Sequence, residues 1–220
     1  MSRVVFDIET AGDFESLDKE TQDYFLKHAK DEQDREEIKK SVNLWPFSGE
    51  IVAISLLNPE SGKGKVFFQA PNQKIENFSE DGADFEVSAE KKILEKFWQN
   101  IKSYNQIITF NGRCFDCPYI ALRSAVHKVR STKNLMPPRF SADFHIDLMD
   151  QLTFYGAFRK FSLDLYCRSL GIKSPKIGGI SGEKVSEYFK EGKYLEIARY
   201  CLADVKATAE LYSRWIEYIA

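Results

Sequence analysis

Val4-Val5-Phe6-Asp7-Ile8-Glu9-Thr10 is the stretch whose reading decides the fold. β-Branched and aromatic residues crowd a short run that Gly12 ends, which is the pattern of a strand. Period-two geometry puts Val5, Asp7 and Glu9 on one face and Val4, Phe6 and Ile8 on the other. The two carboxylates then sit about 6–7 Å apart along the strand axis. A strand this apolar belongs in an interior, where carboxylates are rarely left without a partner. The nearest basic residue, Arg3, lies roughly 13 Å back along the strand. A divalent cation with hard oxygen ligands would supply the missing charge. An isolated pair of this kind also fits an edge strand with two solvated acids, and the rest of the chain has to decide.

Outward from that stretch, the 220 residues predict one domain, 1–220, with a core large enough to stand alone. Lys and Arg number 31 against 33 Asp and Glu, a formal net charge of −2. A nucleic-acid partner therefore has to be held by a local basic patch, because the global field gives little attraction. The first residues lack a charged n-region followed by an apolar core, and no apolar run approaches 18 residues, so a cytoplasmic location without membrane contact is expected. Cys114 and Cys117 form a C-x-x-C without a second close pair or a His pair, and zinc is not expected there. The cysteines read as buried small hydrophobes in a reducing compartment, with a redox pair as the alternative.

Residues 13–42 form a charge-dense insert, anchored by Tyr24, Phe25 and Leu26, that predicts one or two short surface helices. Strands are predicted at 50–57 and 65–69, joined by a Pro59 and Gly62-Lys63-Gly64 turn. Residues 70–85 read as a loop, and helical periodicity begins near Glu86. A strand at 107–110 ends at Asn111-Gly112, and a helix covers about 115–126. A basic irregular stretch, 127–139, precedes a short strand at 144–149, and helical pieces follow around 148–155 and 161–170. Gly171, Gly178, Gly179 and Gly182 mark a loop carrying Lys173 and Lys176, and the last helices run over 182–190 and 193–218. The order implies an α/β fold, a mixed five-stranded sheet flanked by helices on both faces. In such sheets the site gathers at the carboxyl ends of the parallel strands.

Two further acids stand out. Asp116 sits just inside a helix that follows a strand, where either a ligand role or ordinary helix capping accounts for it. Asp204 lies in the last helix, although Asp is a poor helix former in mid-helix. Tyr200, four residues earlier, shares its face, either as a functional phenol or as a packed core aromatic.

Taken in order, Asp7-x-Glu9, Asn111-Gly-x-x-Phe115-Asp116 and Tyr200-x-x-x-Asp204 resemble the three motifs of the DEDD superfamily of 3′–5′ exonucleases, in its tyrosine-type subgroup. The stretches His145-Ile-Asp-Leu-Met-Asp150, Leu163-Asp164 and Leu170-Gly171-Ile172 are similar to the bacterial branch related to the proofreading domain of family-B DNA polymerases. The resemblance implies a ribonuclease H-like fold and metal-ligand roles for Asp7, Glu9, Asp116 and Asp204. Four carboxylates bring about −4 of formal charge together, which two divalent cations, Mg2+ or Mn2+, neutralise. It further implies that Tyr200 orients the attacking water, and that Thr10, Asn111 and Phe115 lie against the terminal nucleotide. Lys173 and Lys176 are candidate contacts to backbone phosphates, with Arg123, Lys128, Arg130, Lys133, Arg159 and Lys160 as a further basic rim. Asp147 and Asp150 read as supporting or structural acids, and His145 as a hydrogen-bonded core or rim histidine. The expected activity is release of nucleotides from the 3′ ends of single-stranded DNA or RNA, with protein partners unspecified. The alternatives are a non-catalytic nucleic-acid-binding module on the same fold and a phosphoesterase acting on nucleotides or short oligonucleotides.

Overall fold

The computed structural model describes residues 2–176 and 179–220; Ile177 and Gly178 of the Gly-rich loop, and Met1, lie outside the described residues. The chain opens with β1 (Arg3–Gly12), followed by the helices of the insert, α1 (Lys19–Leu26) and α2 (Glu32–Lys40). Strands β2 (Gly49–Leu57), β3 (Gly64–Phe68), β4 (Phe78–Glu80) and β5 (Ala83–Val87) precede α3 (Glu90–Ile101). Then come β6 (Gln106–Thr109), α4 (Asp116–Val126), β7 (His145–Asp147), α5 (Leu148–Leu152) and α6 (Leu163–Ser169). Helices α7 (Val185–Lys190) and α8 (Tyr194–Tyr218) close the described chain.

The strands form one sheet in the order β4-β5-β3-β2-β1-β6-β7. β1 pairs antiparallel with β2 and parallel with β6, and β6 pairs parallel with β7. This corrects the expected strand count: the sheet has seven strands, because β4 and most of β5 lie in the stretch read as a loop, and β5 runs on through Glu86 and Val87, where the helix is expected to begin. β5 pairs in parallel with β3, a long-range contact that turn-rich local sequence does not signal.

Alternation along β1 divides the core as its sequence predicts. Val4, Phe6 and Ile8 pack with Ile93, Phe97 and Ile120 of α3 and α4 on one face. Val5 packs with Ile108, Val205 and Leu211 on the other, under α8. Phe6 meets Phe97 edge to face at 5.2 Å, a favoured aromatic geometry. The register of β1 with β2 shifts between Glu9 and Thr10, so that Glu9 faces Ala53 while Thr10 faces Ile51. The extra residue, Val52, makes a bulge at the end of β1 that carries the acids. No helix among the described residues is long and apolar enough to cross a membrane.

A buried ion pair fastens the helices to the sheet. The Glu90 carboxylate accepts from the Ile51 backbone N–H at 2.8 Å, from Arg123 Nε at 2.7 Å and from Arg123 Nη2 at 2.5 Å. The third guanidinium nitrogen, Arg123 Nη1, donates to the Pro46 carbonyl at 2.9 Å. Arg123 is thus an interior clamp, which corrects its placement on the basic rim. Lys133 is also engaged internally, donating to the Tyr104 carbonyl and lying over the Phe144 ring. Arg123→Met leaves Glu90 buried without its cation and should destabilise the chain by about 3–5 kcal/mol in urea unfolding. The Glu90→Gln/Arg123→Met double variant should regain part of that loss.

Candidate active site

The site is built where β1 and β6 end. Its first two acids come from β1, where Glu9 is buried and Asp7 partly buried. Its third stands at the first residue of α4. The backbone turns there through Asn111, whose φ of 63° is left-handed, and through Gly112. A Cβ on Gly112 would meet the Thr109 side chain at 2.5 Å, so the close approach requires glycine. Asp147 holds this turn: its carboxylate accepts from the backbone N–H groups of Asn111 and Arg113, each at 2.8 Å, and from Met149 at 3.0 Å. The turn aims Asp116 back at β1, where its Oδ1 accepts from the Ile8 N–H at 3.0 Å. Asp204 arrives from the opposite side on α8, one turn after Tyr200, whose phenol lies close to its carboxylate.

These four carboxylates face one another. Burial pushes the Asp7 carboxyl well above the usual range, and the charges of Asp116, Asp204 and Glu9 push it further. Burial does the same to Glu9, again with Asp204 and Asp116 adding to it. Asp116 and Asp204 are each raised to about 7, chiefly by burial. Among the described residues no Lys, Arg or His nitrogen lies within 4.0 Å of any of the four. The Tyr200 phenol is pushed up by burial and then by Asp204, Glu9 and Asp7, so it remains a donor at neutral pH.

One participant was missed from sequence. The Cys201 thiol donates to the Asp7 carbonyl at 3.5 Å, and its sulfur lies within 4.8 Å of one carboxylate oxygen each from Asp7 and Glu9. Its spacing from Asp204, three residues on a helix, is the signal that would have found it. Cys114, expected to be buried, is exposed.

The remaining candidates divide. Thr10 is buried, with the Tyr119 side chain close by. Phe115 precedes Asp116, is partly buried, and has its ring centroid 5.3 Å from that of Tyr119. Lys173 lies beside Arg199 and Lys206 on a flank of α8, and Lys176 has its amino group 3.6 Å from Asp164. His145 is buried between Thr109 Oγ1 at 2.8 Å and the Leu135 carbonyl at 2.9 Å, and burial lowers it to about 4, so it is neutral. Asp150 is paired with Arg139 at 2.6 Å.

Residues 49–219 match the family model described as a predicted 3′–5′ exonuclease related to the exonuclease domain of PolB. This chain belongs to that family. The matched span starts at Gly49, so β1 and the insert lie outside it. DNA polymerase 1 of Sulfolobus acidocaldarius is 25% identical over 177 residues, which are 73% of this chain and 19% of that protein. The chain thus spans about a fifth of the length of the curated relative it matches. The family B DNA polymerase from Pyrobaculum calidifontis superimposes with a TM-score of 0.61 at 18% identity, covering 98% of this chain and 24% of that one. The expected ribonuclease H-like α/β architecture therefore holds for the PolB-related exonuclease, with two strands more than predicted.

The raised carboxyl groups have a sign that can be measured. Asp116 and Asp204 titrate near 7 when folded and near 3.9 when unfolded, so the folded chain holds more protons between those values. Their contribution to stability is complete below about pH 4 and is lost as pH rises through about 7. Thermal unfolding in EDTA should show a falling midpoint from about pH 5 to pH 8. Asp204→Asn should flatten that slope and stabilise the chain at pH 8 by about 1–2 kcal/mol.

Proposed function

We propose that this PolB-related exonuclease removes nucleotides one at a time from the 3′ ends of single-stranded DNA or RNA, using two divalent cations, Mg2+ or Mn2+. The observation that carries this reading is the convergence of four carboxylates that no basic side chain among the described residues neutralises. The donor set fits hard divalent cations, since it is chiefly carboxylate oxygen, and burial together with repulsion from neighbouring carboxylates raises the Asp7 and Glu9 carboxyl groups. Asp7, Glu9, Asp116 and Asp204 would hold them. When bound, the pair supplies positive charge that lowers the pKa of a water and stabilises the leaving 3′ oxygen.

The chain's own residues do the rest. Asp116 is fixed by the Ile8 N–H, so its free oxygen has a set direction. Loading the site displaces the protons that Asp116 and Asp204 retain near neutrality, so affinity for the cations rises with pH. Tyr200 keeps its proton and acts as an orienting group for water, not as the base. Phe115 is proposed to pack against the terminal base, with Thr10 and Asn111 beside it. Lys173 and Lys176 are proposed to reach backbone phosphates from the α8 flank. A cytoplasmic setting goes with this reading.

The test is digestion of 5′-labelled single-stranded DNA and RNA of matched sequence with Mg2+, with Mn2+ and with EDTA. A ladder shortening from the 3′ end is expected with metal and none with EDTA. Asp7→Ala and Asp204→Ala should each lose activity on the order of 10³-fold or more while unfolding cooperatively. Tyr200→Phe should slow the reaction about 10²-fold and leave calorimetric Mn2+ binding in place. Undiminished digestion by both alanine variants would overturn the assignment.

A further inference from the structure

The insert holds an apolar groove that the carboxylate site does not use. Neither α1 nor α2 buries a single residue. Their apolar side chains, with the loop at 44–47, instead wall an open groove of about 740 Å3 against α4. A volume of that order is typical of a ligand site. Its aromatic lining comprises Tyr24, Phe25, Trp45, Phe47, Phe115 and Tyr119. Tyr24 is 74% exposed, Phe47 68% and Trp45 54%. A contiguous patch of this kind marks a place where something docks.

We infer that this groove takes the unpaired bases behind the 3′-terminal nucleotide, stacking them on the rings of the insert. The inference rests on the exonuclease reading and names the part of the strand that reading leaves unheld. Two observations select nucleic acid as the occupant. The groove reaches the start of α4, because Phe115, the residue immediately before Asp116, lines it. Its charge is also of one sign. The chain carries 33 Asp and Glu, yet none lines the groove, whereas Lys27 and His28 do. Aromatic faces beside basic side chains are how single strands are held without regard to sequence.

The platform is fixed to the site. The Tyr119 hydroxyl donates to the Asn43 carbonyl at 3.0 Å, and Arg123 donates to the Pro46 carbonyl at 2.9 Å. Both donors stand on α4, the helix whose first residue is Asp116. A base stacked on Trp45 is therefore held by the same rigid element that aims the carboxylate.

The experiment titrates the full chain in EDTA with oligothymidylates of two and of about eight nucleotides. Trp98 and Trp215 are 2% and 8% exposed, so quenching of tryptophan fluorescence reports Trp45. Strong quenching by the longer strand and weak quenching by the dinucleotide is the expected result. Trp45→Leu/Phe47→Leu removes two exposed rings and opens no core cavity. It should weaken binding of a labelled longer strand on the order of 10- to 100-fold by anisotropy. It should also abolish the fall of KM with strand length during digestion in Mg2+. A variant that binds the long strand like wild type, while wild type digests it, overturns the groove and spares the exonuclease. Length-dependent quenching in a wild-type chain that digests nothing supports the groove and removes the exonuclease. A dimer that the double variant dissolves, with no quenching by any strand, overturns the groove in favour of a second copy.

Discussion

The burial of four neighbouring carboxylates is the constraint around which this molecule is arranged. Asp7, Glu9, Asp116 and Asp204 come from β1, α4 and α8, and among the described residues no basic side chain pairs with them. Such a set persists only because the surrounding apolar packing fixes where each backbone runs. Phe6 and Ile8 bind β1 to α3 and α4, while Val5 and Ile108 bind it under α8. The acids then have no route apart, and the cost appears as raised carboxyl pKa values, not as a displaced helix. The Ile8 N–H bond to Asp116 is a small part of that scaffold, and it ties β1 to the start of α4.

Supporting charge is handled differently away from the site. Glu90 is buried but answered by Arg123, and Asp150 by Arg139. Asp147 is answered by three backbone N–H groups, two of them from the turn that presents Asp116. Elsewhere, then, the fold provides interior carboxylates with donors of its own. That contrast singles out the four-acid cluster more firmly than proximity alone, because the chain evidently has the means to satisfy a buried acid.

Most of the architecture was legible because the strands and helices at the centre carry strong periodicity. β1 alternates cleanly, α3 places Ile93, Leu94 and Phe97 on one side, and α8 keeps an apolar stripe over its 25 residues. β4 and β5 were not legible. They are short, interrupted by Ser79, Glu80, Asp84 and Glu86, and depend on the pairing of β5 with β3 across the sheet, which no local window contains. The bulge at Val52 likewise puts Ile51 and Ile54 in the same cluster despite their odd spacing, against simple alternation. At the site, the spacing of the acids was readable, whereas the approach of Cys201 to Asp7 depends on how α8 is rotated over β1. Arg123 looked like surface charge because sequence does not announce that Glu90, 33 positions away, is its partner.

The shallow seating of α1 and α2 has a consequence for how this molecule can change over time. Since neither helix contributes to a core, the stretch from Lys19 to Lys40 can be lengthened, shortened or exchanged with little effect on the sheet. Gly12 and Gly49, on either side of it, sit tightly against Asn43, where a Cβ on either would come within 2.9 Å, so the ends stay anchored while the middle drifts. Chemistry and strand preference are in that way open to separate evolutionary adjustment: one is fixed by the acids at the strand ends, the other can be rewritten in a surface excursion.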